Sequence, residues 1–350
     1  MSKDEYLITD EPLKALTIFA MPMILGSFFQ QVYNMADSII VGQFVGSSAL
    51  AAVGACAALT NVFICVALGA GVGAGVLVSR YFGAGDYGKM KTIVSTSLVS
   101  FLILSLLLGG FGFCFSHSMM NLLQTPTDIL EEAVQYLRIY FVGFPFLFMY
   151  NIFSTMFNSI GESKIPLGLL IFSSILNILM DLWMVAGLGL GVFGAALATL
   201  IAQGISAILV LITVLHRLSA MTAEKQPIFD GKLCKQILAI AVPSILQQSV
   251  LSVGNLVVQA IINQYGSAVV AGYSGAIKLN TFAINIFMTL GSCLSSYTAQ
   301  NLGAGKPERI PMGFKTGLKL SELTALPFVI LYFGFSRQMM SLFLNAESTG

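Results

Sequence analysis

Nine uninterrupted apolar runs dominate this chain, at 15–42, 48–79, 92–116, 133–160, 165–188, 191–215, 237–263, 267–299 and 316–344. Each is long enough to cross about 30 Å of hydrocarbon as a helix. A segment in lipid has to satisfy its own backbone hydrogen bonds, and these runs are continuous rather than alternating, so helices are predicted and membrane strands are not. Only 9% of the 350 residues are charged, against about 25% in a soluble domain. A water-facing globule is excluded, and the chain is read as an all-α integral membrane protein.

The placement of charge carries more than its total. Net charge is +1, which points to no nucleic-acid partner. If the runs alternate in direction, Lys3, Lys14, Arg80, Lys89, Lys91, Lys164, Arg217, Lys225, Lys232, Lys235, Lys306, Arg309, Lys315 and Lys319 all fall on one side. Arg138 and Arg337 fall near the other, and Lys278 lies within a run. The positive-inside rule then puts the N-terminus and the loop at 216–236 in the cytoplasm. The lead MSKDEYLITDEPLK, with four acids and no apolar core, reads as a short polar segment rather than a cleaved signal. Cys56, Cys65, Cys114, Cys234 and Cys293 follow no ligand spacing, so neither zinc nor disulfides are expected.

The chain also matches itself at an offset of about 220 residues. AMPMIL at 20–25 aligns with AVPSIL at 241–246, Gln43-Phe44 with Gln264-Tyr265, and Gly46-Ser47 with Gly266-Ser267. FGAG at 82–85 aligns with LGAG at 302–305, and Met119-Met120 with Met339-Met340. Landmarks this regular imply a duplicated helical bundle. The first copy holds six spans, an even number, so both copies insert in the same sense. The expected organisation is an N-terminal six-helix lobe over 1–217, a cytoplasmic linker over 218–236 and a partial C-terminal lobe of three helices over 237–350. Gly350 corresponds to Leu130 of the first copy, so a fragment of a protein of about 440 residues is expected.

An ionisable side chain at membrane depth costs at least about 2.5–3.5 kcal/mol and so calls for a reason. Asp37 lies late in the first run, Asp181 late in the fifth, and Lys278 inside the eighth. Counting 1.5 Å per residue puts both acids in the outer half. Asn177 stacks one turn before Asp181, while Asn151, Asn158 and Thr199 add neutral oxygens in neighbouring runs. A sodium ion needs several hard oxygens with one or two carboxylates, and a proton needs a buried carboxylate. Asp37, Asn177, Asp181, Thr199 and Asn151 could serve either ion; the alternative is that each acid caps a helix or bonds a kinked backbone. Lys278 pairs with a distant acid, contacts an anionic group or snorkels to the interface. Pro22 and Pro243, equivalent in the repeat, are candidate hinges or static kinks. GAGVGAG at 69–75 allows close helix packing, and no strand precedes it to make a phosphate loop.

AMPMIL through NMADSIIVGQ, FGAG, GESKIP at 161–166, NILMD at 177–181 and the second proline with LGAG together resemble the multidrug and toxic compound extrusion (MATE) family over the whole chain. The resemblance implies twelve spans in two six-helix lobes forming a V-shaped antiporter, which exports organic, often cationic compounds against sodium ions or protons. It implies ion-site roles for Asp37, Asn177, Asp181 and Thr199, with Tyr33 lining a substrate cavity. Some branches keep a further acid early in the second lobe, but 237–263 has none, which points to coupling in the first lobe, as in the DinF-like branch.

The reading is a cation-coupled exporter rather than an enzyme, working by alternating access, with Tyr33, Asn158 and Lys278 at the substrate cavity and no cofactor beyond Na+ or H+. It is expected to be a monomer in the plasma membrane that handles small organic substrates. The alternatives are a lipid-linked oligosaccharide flippase, which should carry several cavity Lys or Arg, and an inactive truncated membrane fragment.

Overall fold

The computed structural model describes residues 5–221, 227–265, 267–335 and 338, apart from some side chains, Lys278 among them. Among the described residues the chain is helical and has no strand. A short α1 (Tyr6–Thr9) precedes α2 (Pro12–Phe44), α3 (Ser47–Gly83), α4 (Tyr87–Leu122), α5 (Leu130–Ser159) and α6 (Lys164–Asp181). After α6 come α7 (Gly191–Ala220), α8 (Gly231–Ile262), α9 (Ser267–Gly303) and α10 (Arg309–Gly334). The long helices α2 to α9 take up the first eight apolar runs in order, and α10 covers 316–334 of the ninth. Among the described residues, eight segments are long and apolar enough to span a bilayer; the run at 267–299 falls on α9, part of which lies outside them.

Most helices extend beyond their apolar runs. The extra turns are polar, and at α4 one is capped: Asp86 accepts the Lys89 backbone N–H at 3.0 Å and starts the helix ahead of its run. Lys89 also pairs with Asp86 at 3.1 Å, and the Asp86 carboxyl is held below the usual carboxylate range chiefly by that backbone N–H. The fifth run differs more. Its helix ends at Asp181 and passes into a π-helical stretch, Leu182–Gly187. α2, α5, α8 and α10 run through an internal proline, Pro22, Pro145, Pro243 and Pro327.

α3 is gripped on two sides. Residues two apart on a helix point about 200° apart, so the glycines of GAGVGAG fall into two pairs on opposite faces. A Cβ on Gly69 would stand 2.5 Å from the Ile245 side chain, and one on Gly73 2.6 Å from Ala241, both on α8. A Cβ on Gly71 or Gly75 would stand 2.9 or 2.7 Å from Thr155 on α5. The absent side chains let both neighbours approach the α3 backbone, the usual device where lipid offers little hydrophobic gain for helix pairing. Phe144, Phe148, Phe153 and Phe157 of α5 fill the core beside it, with Ile237 and Ala241 of α8.

At the end of the molecule that carries most of the Lys and Arg, called here the basic end, the repeat takes structural form. α3 and α9 close with the same Schellman turn: Gly85 and Gly305 stand at φ 70° and 69°. Asp86 N–H donates to the Tyr81 carbonyl at 3.0 Å, and Lys306 N–H to that of Asn301 at 2.9 Å. The two helix ends also cross reciprocally. A Cβ on Gly83 would collide with the Gln300 carbonyl oxygen, and one on Gly303 with that of Arg80. Ser79 Oγ and Gln300 Nε2 converge on the Ser159 carbonyl of α5, at 3.0 and 2.7 Å.

The N-terminal lead is more than the polar segment its composition predicts. Leu7 and Ile8 are buried in α1. Asn301 Nδ2 donates to the Leu7 carbonyl at 3.0 Å, Lys306 Nζ to that of Ile8 at 3.1 Å, and Arg309 to that of Asp10. The Tyr6 hydroxyl donates to the Gly161 carbonyl at 2.8 Å, so α1 links the α5–α6 turn to α9 and α10.

Gly83→Ala and Gly303→Ala should each lower stability by about 1–3 kcal/mol through overpacking. Because both open one crossing, the double variant should cost less than the sum, as read by thermal unfolding in detergent micelles. Asn301→Ala should speed chymotryptic cleavage after Tyr6, because the α1 carbonyl loses its donor.

Candidate functional site

At the end of α2 far from the basic end, one helical turn separates Tyr33 from Asp37, so both point the same way. Asn177 and Asp181 repeat that spacing on α6, at 2% and 0% exposure, and Thr199 faces them from α7. The Asp37 and Asp181 carboxyls lie within hydrogen-bonding reach of one another, and Tyr33 lies at the Thr199 side chain. Oδ1 of each aspartate is buried without a donor among the described residues. The hydrogen-bond network orients the Asn177 amide so that its nitrogen donates to Asp181 Oδ2 at 2.7 Å and its oxygen accepts the Thr199 backbone N–H at 3.3 Å. Asn177 thereby fixes the rotamer of Asp181. Beyond the acids, Ile40, Val41, Val185, Val192 and Ala195 form an apolar cluster that backs the site.

Four of the residues expected at an ion site thus come together: Asp37, Asn177, Asp181 and Thr199. Asn151 does not join them. Tyr136 of α5, which sequence reasoning missed, sits among them within electrostatic range of Asp37 and Tyr33. The Asp37, Asp181 and Thr199 oxygens are hard donors, and two carboxylate oxygens lack a partner, so the chemistry suits a sodium ion or a shared proton. The Asn177 oxygen is turned to the Thr199 backbone, so this residue positions a ligand group rather than offering one. The π-helical stretch begins directly after Asp181, and single π turns inside helices often sit at functional positions.

A cavity of about 350 Å³ lies nearer the basic end, between α2, α5, α6 and α9. Asn151 and Asn158 line it together, with Gln30, Gln31 and Asn285. Asn151 Nδ2 donates to the Leu147 carbonyl of its own helix at 2.8 Å, and Asn158 Oδ1 is buried without a partner among the described residues. Ser27 on α2 and Thr289 on α9 share a hydrogen bond of 3.0 Å at its wall. Of the expected cavity residues, Asn158 is in place, Tyr33 stands with the acids, and the Lys278 side chain lies outside the described residues, as does the Met339-Met340 landmark. The two proline positions also differ in setting: Pro22 is buried and lines the cavity, whereas Pro243 is exposed on α8. Gln30, Gln31 and Asn285 were detectable as polar residues inside apolar runs, but only the packing shows that they face one space.

The chain is similar to the probable multidrug resistance protein YoeA of Bacillus subtilis, 28% identical over 99% of this chain and 78% of that protein. It is 26% identical to a FAD transporter of Shewanella oneidensis, over 97% of this chain and 76% of that one. A crystal structure of MATE in the bent conformation superposes with a TM-score of 0.90 at 24% identity, covering 98% of this chain and 77% of that chain. The MatE family model matches residues 22–183 and again 243–349, each match beginning on one of the paired prolines. Those two matches take in most of the sequence, and the chain, a multi-pass membrane protein, belongs to the MatE family.

Proposed function

We propose that this protein exports small organic compounds in exchange for a cation, with Asp37 and Asp181 as the coupling pair. One observation carries the reading. Two carboxyl groups face each other at membrane depth, and among the described residues neither has a Lys or Arg partner. Like charges so close in a low-dielectric site cannot both stay ionised without something between them, and a proton or a sodium ion is the simplest relief. Asp37, Asp181 and Thr199 would hold a sodium ion, which would supply the countercharge.

The site and the cavity share a wall. α2 carries Tyr33 and Asp37 toward one end and Pro22, Gln30 and Gln31 toward the other. An occupied acid pair ties α2 to α6 and α7, whereas an empty pair repels, so ion occupancy biases the position of α2 and with it the shape of the cavity. Pro22, which interrupts the hydrogen-bond ladder beside the cavity, is the natural flexing point, and Pro243 its counterpart. In this reading residues 1–217 and 237–350 belong to two lobes joined by the cytoplasmic linker 218–236, and access alternates between them. The names of the relatives, multidrug resistance protein and FAD transporter, support export of varied organic compounds. Coupling confined to the first lobe follows the DinF-like pattern. An oligosaccharide flippase is less well supported, because among the described residues no Lys or Arg lines the cavity.

Dye efflux by the protein in liposomes, under separately imposed sodium and pH gradients, tests this. One gradient should drive efflux, and Asp37→Asn or Asp181→Asn should reduce the driven component by about 5- to 150-fold, the usual span of a coupling energy. Efflux indifferent to both substitutions and to loss of both gradients would sink the mechanism. Asn177→Ala, which leaves Asp181 without its donor, and Thr199→Val, which removes a ligand oxygen, should each raise the ion concentration giving half-maximal efflux.

A further inference from the structure

We infer that the cavity between α2, α5, α6 and α9 is a binding site for uncharged heterocycles with amide-type edges, such as lactams, imides and nucleobase-like rings. This deepens the exporter reading and rests on it for its biological meaning, though not for the binding itself. Five carboxamides, Gln30, Gln31, Asn151, Asn158 and Asn285, line the space, and among the described residues no Asp, Glu, Lys, Arg or His does. Each carboxamide offers a donor pair and an acceptor side by side, the complement of a ring edge that alternates N–H and C=O.

A permanent cation entering here would give up its water without finding a countercharge, which is costly at membrane depth. A neutral ring with amide edges regains its hydrogen bonds from the wall. Asn158 lines the space, and its Oδ1 has no partner among the described residues, so a turn of its amide toward the cavity would let it accept a ligand N–H. Asn151 has its nitrogen engaged by Leu147, which fixes the orientation of its amide. Leu167 and Leu170 of α6 supply apolar surface for the ring faces. About 350 Å³ suits a ligand of two or three fused rings, within the range of small-molecule pockets. The acids are not part of this wall: Gln30 and Asp37 are seven residues apart on α2, about 10 Å along its axis.

The matched probes are acridone, a neutral tricycle with one N–H and one C=O, and 10-methylacridinium, the same ring as a permanent cation without the N–H. Both are titrated by fluorescence into the protein in nanodiscs, with no ion gradient. Acridone should bind saturably and more tightly than 10-methylacridinium. Gln30→Leu and Asn158→Leu should each weaken acridone about ten- to a hundredfold, the loss of one or two buried hydrogen bonds, and leave 10-methylacridinium unchanged. Gln30→Glu keeps the size of a half-buried side chain and should invert the order of the two probes, which keeps the test open if the leucine variants do not fold. Equal or tighter binding of 10-methylacridinium to the unaltered protein, or acridone binding indifferent to all three substitutions, overturns the inference. If this selectivity holds while ion-driven efflux is absent, the exporter reading fails and the binding site stands; if efflux is ion-driven but the selectivity is opposite, the exporter reading stands and the inference about the cavity fails.

Discussion

Between helices already surrounded by lipid, burying apolar surface against a partner gains little over lipid itself, so close backbone approach and hydrogen bonds have to hold the bundle. Among the described residues, α3 makes close approaches to several neighbours. Its alternating glycines open two opposite faces at one level, and α5 and α8 close on both. A short stretch of sequence thereby fixes the distance between an early helix and a late one, and the aromatic core of α5 and the position of α9 follow from that spacing. Larger residues on one face would loosen one neighbour; larger residues on both would leave α3 without its place in the bundle.

The two ends of the molecule are built differently. At the basic end, turns, buried amides and the α1 carbonyls are joined by specific hydrogen bonds across distant parts of the chain, with Ser159, Gln300 and Asn301 at the junctions. Away from it, the acid pair is backed by small and branched apolar side chains and leaves carboxylate oxygens without donors among the described residues. One end is tightly tied across the chain, with Gln300 Oε1 left without a partner among the described residues, and the other keeps unmet electrostatic demand between two acids. α2 reaches both, which makes it the element through which a change at one level is felt at the other.

The spans were legible because hydrocarbon thickness sets a length that composition alone must meet. The acid pair was legible for a related reason: an ionisable group inside such a run is costly, and Asp37 and Asp181 lay at similar depth. Asn151 went to the wrong neighbourhood because depth was not counted along its own helix. Fifteen residues separate it from Tyr136, the α5 residue beside the acids, or about 22 Å of rise. α1 was missed because nothing local announces it; two apolar residues among acids gain their meaning only from Asn301, Lys306 and Arg309. The carboxamide cavity was half visible, since its residues could be named one by one as polar intruders, whereas their common facing is a property of four helices packed together.

The fastening of α1 also bears on how such a chain is made. Leu7 and its donor Asn301 are 294 positions apart, so at about 5–20 residues per second of synthesis the N-terminal turn waits roughly 15–60 s for its partner. Until α9 and the start of α10 emerge, Leu7 and Ile8 have no pocket to enter. α1 can therefore be locked only after α9 has emerged, and its docking marks the moment when that late helix has reached its place beside the early ones.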